Sequence, residues 1–129
     1  MSIEAAVRAM ITAGSTVSLV PDARVTHGYR LQFDALPAIT FEVTSVTADS
    51  ISGPTYLAEV EIRCIAVTGA DALAIVEQVR TASVAGSFAG HDLRAVIYTG
   101  HRLESPSSGE GDEAEPSEAV ANLSIYYTE

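Results

Sequence analysis

Lysine and tryptophan are absent from this sequence, and cysteine occurs once. Each shortage excludes something. The seven basic residues are all arginine and face 17 acids, a formal net charge of −10. A free-standing nucleic-acid binder needs a positive face to displace counterions from phosphate, and no such face is visible. The lone Cys64 rules out an internal disulfide. One thiol in an apolar strand pattern reads as a buried structural group, made in a reducing cytoplasm. No apolar run approaches the roughly 18–20 residues of a transmembrane helix, so no membrane partner is expected. The first residues show no basic stretch leading into a long apolar run, so a secretory leader is not expected.

Motifs of chemistry are missing as well. The segment Gly86-Ser87-Phe88-Ala89-Gly90 lacks the lysine and the strand-to-helix setting of a phosphate loop. No serine sits in a nucleophile elbow. His27, His91 and His101 belong to different elements, and no Cys or His pair has metal-ligand spacing. No metal and no cofactor is expected, and the chain is not expected to be an enzyme.

What is present is a well-patterned core. The 129 residues, 47% of them hydrophobic, suit one domain; a chain of this size buries roughly two-thirds of its unfolded surface. The stretch Tyr56–Ala85 organises it. Ala58, Val60, Ile62, Cys64 and Ala66 alternate with Glu59, Glu61 and Arg63, so one strand face is apolar and the other charged. The period then switches to helical, with Leu73, Val76 and Val79–Arg80 in line and Ala72 and Ile75 beside them. Thr68 is placed to cap this helix, with Asp71 three residues on.

Other elements must cover those two apolar faces. Ile3–Ala13 reads as a short helix after Ser2, with Ile3, Val7, Met10 and Ile11 in one stripe and Gly14 ending it. Pro21-Asp22 signals a turn, Arg24–Tyr29 a short strand, and Arg30–Leu36 a loop. Pro37 leads into the strand Ala38–Val46, whose Ile39, Phe41 and Val43 alternate with polar residues. Thr47–Thr55 is a connection short enough to make this strand and Tyr56–Val67 antiparallel neighbours. Gly86–Asp92 reads as a loop. In the strand Leu93–Leu103, Ala95, Ile97, Thr99, His101 and Leu103 oppose Val96, Tyr98 and Arg102. In Ala119–Thr128, Ala121, Leu123, Ile125 and Tyr127 share one face. The expected fold is α+β: about four strands in a mainly antiparallel sheet, with two helices packed on one face. The helix at Ala70–Arg80 crosses over between Tyr56–Val67 and Leu93–Leu103.

The segment Glu104–Glu118 stands apart. It holds six of the 17 acids, no base and no apolar residue larger than alanine. It reads as a flexible acidic loop at the tip of the last hairpin, within a single domain spanning 1–129. Glu110, Asp112, Glu113 and Glu115 lack the spacing and closing bidentate glutamate of a calcium loop, so a solvated charge run is the reading. Glu59 and Glu61 share an outward strand face; acids so placed are usually solvated or paired with a neighbouring chain, and only rarely an acid/base pair.

A family resemblance rests on four features in order: the opening helix Ile3-Glu4-Ala5-Ala6-Val7-Arg8-Ala9; the segment Pro37-Ala38-Ile39-Thr40-Phe41; the strand Ala58–Ala66 followed by the helix Ala70–Arg80; and a last strand ending in Tyr126-Tyr127. In this order the chain resembles the tail completion, or tail terminator, proteins of long-tailed bacteriophages over nearly its whole length. The acidic tip is longer than that family leads one to expect. The resemblance implies a structural virion protein, not an enzyme. Such proteins form a ring, usually of six subunits, at the head-proximal end of the tail tube. The ring ends tube polymerisation and offers a docking face to the head connector. Phage-derived gene transfer agents use similar parts.

The implied partners are further copies of the chain in a hexameric ring, a tail tube protein, and a head-tail connector or stopper protein. DNA would pass through without specific binding, as an acidic bore repels phosphate. The implied location is the neck of the virion, after assembly in the host cytoplasm. Candidate subunit or partner contacts are Glu59, Glu61, Arg63, His101, Arg102, Glu110, Asp112, Glu113 and Glu115. The acidic tip is either an arm that orders on a neighbour or a solvated hairpin end. The alternatives are a small homodimeric α+β binding module for a protein partner or metabolite, and a small enzyme with an unrecognised site.

The first helix is too short to persist alone, since isolated helices under about 12–15 residues are marginal. Its stripe must dock, and Met10→Asp or Val7→Asp is expected to detach it. The check is amide hydrogen exchange: protection should fall across Ile3–Ala13 first.

Overall fold

The computed structural model describes residues 3–13, 18–21, 24–28, 36–49, 55–104 and 117–128. Among these, two helices and six strands follow in the order α1 (Ile3–Thr12), β1 (Val25–His27), β2 (Ala38–Asp49), β3 (Thr55–Ala66), α2 (Gly69–Ala82), β4 (Gly86–Phe88), β5 (His91–Glu104) and β6 (Ser117–Thr128). The strands form one sheet in the order β1-β2-β3-β6-β5-β4. β1 runs parallel to β2; the other neighbours are antiparallel. The α+β class with two helices is therefore observed, with a sheet of six strands where about four were expected. β3 and β5 point the same way with β6 between them, and α2 links them. None of the described helices is long and apolar enough to cross a membrane.

The two extra strands are short. β1 falls inside the expected strand Arg24–Tyr29, after a turn in which the Arg24 N–H donates to the Pro21 carbonyl at 2.8 Å. β4 lies inside the expected loop Gly86–Asp92. It pairs with the start of β5 through Ala89 and Gly90, whose φ values of 48° and 83° are both positive, as a tight hairpin requires. Three residues are too few to show a period. The β2–β3 hairpin is longer than expected: pairing continues through the expected connection to Asp49↔Thr55. Residues 29–35 and 50–54, parts of two expected connections, lie outside the described residues, as do Ser2 and Gly14.

The alternation within β3 places Ala58, Val60, Ile62, Cys64 and Ala66 in the core. Ile39, Phe41 and Val43 lie beside them on β2, and Ala119, Ala121, Leu123, Ile125 and Tyr127 on β6. Both helices cover this face. α1 contributes Ile3, Ala6, Val7, Met10 and Ile11. α2 contributes Ala72, Ile75, Val76, Val79 and Ala82, with Leu73 at the margin and Arg80 exposed. Each large apolar side chain fully buried here contributes about 1.5–3 kcal/mol. The Thr68 hydroxyl accepts from the Asp71 N–H at 3.2 Å and starts α2. Cys64 is fully enclosed, and burial pushes its thiol pKa up to about 12, far from a reactive thiolate.

β5 departs from strict alternation. Its pairing with β6 shifts between Leu93 and Ala95 and again between Tyr98 and Gly100. Each bulge inserts one residue and reverses the phase. Leu93, Val96, Tyr98, His101 and Leu103 therefore align with buried β6 residues, on the helix face. Ile97, Gly100 and Arg102 align with the other. The expected grouping of His101 and Leu103 with Ile97 is corrected accordingly.

Candidate functional site

The face of the sheet opposite the helices has no helix over it among the described residues. Register places Glu42 on this face from β2, Glu59, Glu61 and Arg63 from β3, Glu118 from β6, and Asp92, Arg102 and Glu104 from β5. Six acids thus stand against Arg63 and Arg102, with Arg94 at 3.8 Å from Asp92, so the face is acidic.

Its centre is Arg63. Glu104 and Glu118 are directly paired across β5 and β6, at the mouth of the last hairpin. Two carboxylates so opposed repel. Arg63 reaches over from β3 and joins them: Nη1 donates to Glu118 Oε2 at 2.9 Å and to Glu104 Oε2 at 3.1 Å. Its Nη2 donates to Glu61 Oε1 at 2.7 Å. Arg102 holds the other oxygen of Glu104, with Nε at 3.2 Å and Nη2 at 3.1 Å. Between the two arginines lies Val120, the register partner of both and fully buried although it points away from the helices. The aliphatic stems of flanking arginines can supply that cover. Nearby, the Ser124 hydroxyl donates to Glu59 Oε2 at 2.8 Å.

These contacts set the titration. Partial burial acts to lower the pKa of Arg63, but hydrogen bonds to Glu118 and Glu104 and the charge of Glu61 outweigh it and hold the pKa above its ordinary value. Desolvation acts to raise the pKa of Glu104, and the hydrogen bonds from Arg63 and Arg102 bring it below the ordinary carboxylate range. Such a network fixes side chains and offers a rigid, charged surface.

The structure thus brings together Glu61, Arg63 and Arg102 of the proposed contact residues, with Glu59 alongside. His101 is not among them. It lies on the helix side of β5, in hydrogen-bond contact with the Tyr98 hydroxyl, while Arg80 of α2 stands 5.4 Å over the Tyr98 ring. Glu110, Asp112, Glu113 and Glu115 fall in 105–116, outside the described residues. Glu104 and Glu118, expected at the ends of the flexible loop, belong instead to β5 and β6. Extending the two strand alternations until they met at the hairpin mouth would have revealed this acid pair. Among the described residues, no group of three His, Cys, Asp or Glu side chains is placed to hold a metal.

A second feature is an apolar cavity of about 250 Å³ where β3 gives way to α2, lined by Leu19, Leu36, Pro37, Ala66, Val67 and Ile75 with Asp71 at its rim. Leu19 is held there from α2: the Gln78 Oε1 accepts from the N–H groups of Ser18 and Leu19 at 3.0 and 2.9 Å. Small-molecule sites usually enclose about 300–1,000 Å³ and carry several convergent polar groups.

Among solved structures, the fold is similar to that of a chain in the virion of a native gene transfer agent particle. The likeness covers 99% of this chain and 96% of that one, at a TM-score of 0.74 and 15% identity. At that identity it is a likeness of fold. No protein-family model matches the sequence, and no curated protein does.

Two outcomes follow from the Arg63 network. Arg63→Met should leave Glu104 and Glu118 opposed and lower stability by about 1–2 kcal/mol in urea unfolding, with a smaller loss in high salt. The depressed pKa of Glu104 stabilises the fold fully above the ordinary glutamate pKa of about 4.3. That contribution fades as pH falls through the lower folded value. Glu104→Gln should therefore flatten the acid limb of a stability-against-pH curve while leaving its slope near neutrality unchanged.

Proposed function

We propose that this chain is a structural protein of a phage or phage-derived particle, resident in the virion and assembled against other virion proteins. The observation that carries this reading is the fold likeness to a chain of a gene transfer agent virion, which extends over nearly the full length of both chains. A likeness confined to a common substructure would carry far less.

The finer reading is a tail terminator: copies of the chain form a ring, of six subunits by the family resemblance, at the head-proximal end of the tail tube. The ring ends tube growth, meets the head connector or stopper, and lets DNA through. Three features support it. The order of elements resembles the tail completion proteins. The sheet face opposite the helices is acidic, which suits a surface that DNA must pass without adhering. The chain carries a formal net charge of −10 and no lysine. The Glu59–Glu61–Arg63 surface and Arg102 serve here as a preformed contact surface, its arginines already held by the chain's own acids. The cavity beside α2 is smaller than ordinary ligand sites, so it does not favour a metabolite-binding module.

Particles assembled without this chain, viewed by negative-stain electron microscopy, test the reading. Over-long tails, or tails without heads, are the expected outcome. Normal particles of normal tail length would overturn it.

A further inference from the structure

The cavity where β3 gives way to α2 is apolar and open to solvent. At its mouth stand Val67, 74% accessible, and Leu19, 47%. A third exposed aliphatic residue, Leu103, abuts the start of α2: a Cβ on Gly69 would come within 3.3 Å of the Leu103 Cδ2. Single exposed aliphatic residues are ordinary, but a group of them around a cavity marks a contact surface. One wall is fixed in place. Besides the two N–H groups that Gln78 Oε1 accepts from, the Gln78 Nε2 donates to Ser18 Oγ at 3.0 Å. These hydrogen bonds tie Ser18 and Leu19 to α2, and a site held open in advance costs an arriving partner little ordering.

We propose that this cavity is a docking site for another protein of the particle, which inserts one large apolar side chain and sets a neighbouring lysine or arginine against Asp71. The inference rests on the virion reading and specifies the chemistry of one contact.

Size and lining select a side chain over a free ligand. An engineered apolar cavity of about 150 Å³ takes up benzene. A cavity of about 250 Å³ therefore admits a leucine or phenylalanine side chain. Asp71 is the one charged group among the described lining residues. A metabolite site carries several convergent polar groups. An anchoring side chain needs none, because its own backbone stays at the rim. Anchors seated in desolvated pockets dominate the binding energy of many protein interfaces.

Charge selects the partner. Asp71 is exposed and has no ion-pair partner among the described residues. A cation would complete it, whereas the phosphates of a nucleic acid would be repelled. A second copy of this chain is poorly equipped to bring that cation. It has no lysine. Its described arginines are all engaged: Arg63, Arg80, Arg94 and Arg102 with its own acids, Arg8 and Arg24 with the carbonyls of Val25 and Leu36. The occupant that fits is a different chain, with a basic residue beside an apolar one.

The test has two arms. In the first, the peptide acetyl-Gly-Arg-Leu-Arg-Gly-amide is titrated into the isotope-labelled full chain and followed by amide chemical shifts. The amides of Leu19, Val67, Asp71 and Ile75 should move. Replacing the peptide's leucine by alanine, or its arginines by glutamate, should weaken binding by about tenfold. Asp71→Asn should remove the preference for arginine over glutamate. No movement at these amides, or equal movement with the glutamate peptide, overturns the stated chemistry. In the second arm, particles are assembled with Val67→Asp in place of the wild type. Because Val67 is exposed, the variant should keep the wild-type circular dichroism spectrum and sedimentation behaviour, while the yield of complete particles falls by about tenfold or more. A wild-type yield overturns the docking site and leaves the virion reading standing. Loss of self-association in the variant assigns the cavity to a second copy and overturns the stated occupant. Normal particles in the complete absence of the chain overturn the virion reading instead.

Discussion

The last strand of the chain lies at the centre of its sheet, and the rest of the structure depends on that insertion. β6 pairs along its full length with β3 on one side and β5 on the other. Without it, β3 and β5 point the same way and have no common partner. Its inward residues Ala119, Ala121, Leu123 and Ile125 are fully buried, and Tyr127 nearly so. They complete an apolar surface that β2 and β3 begin and on which both helices depend. The pairing of β6 with β3 spans about half the sequence, so the cost of closing that long loop is met only when the sheet forms as a whole.

That topology also creates the central electrostatic problem. Antiparallel pairing of β5 with β6 forces Glu104 and Glu118 together at the hairpin mouth. The solution comes from β3, the other neighbour of β6, through Arg63. A guanidinium presents donors in a planar fork and can serve three carboxylates at once, at 2.7, 2.9 and 3.1 Å. A lysine ammonium in the same place would be a point charge without that geometry. The absence of lysine is consistent with this use: where few cations must organise many acids, arginine does more per residue.

Much of this was legible in the sequence because β3 and β6 keep strict alternation, β2 keeps it as far as Val43, and the helices keep their own period. Val60, Ile62, Leu123 and Met10 were placed in the core by period alone. Two kinds of feature were not legible. β4 is too short to carry a pattern, and it depends on the positive φ of Ala89, a residue that does not advertise a turn. The bulges at Arg94 and Thr99 reverse the phase of β5, so simple alternation placed His101 on the wrong face. The candidate site suffered most. The charged face of β3 was readable, but the partners of Arg63 lie 41 and 55 residues away, and only strand order and register bring them near.

The division between the two faces bears on how copies would assemble. The helix layer makes one side of each subunit bulkier than the other. If sheets join edge to edge into a closed ring, the bulkier side needs the larger circumference and goes outside. The face opposite the helices would then turn inward, and with it Glu42, Glu59, Glu61, Asp92, Glu104 and Glu118 against Arg63 and Arg102, with Arg94 beside Asp92. An acidic bore would follow from sheet geometry and strand register, with no residue dedicated to DNA. The ion pairs around Arg63 would have a second consequence there. With its cations held by the chain's own carboxylates, the inner wall would present little free positive charge to passing phosphate.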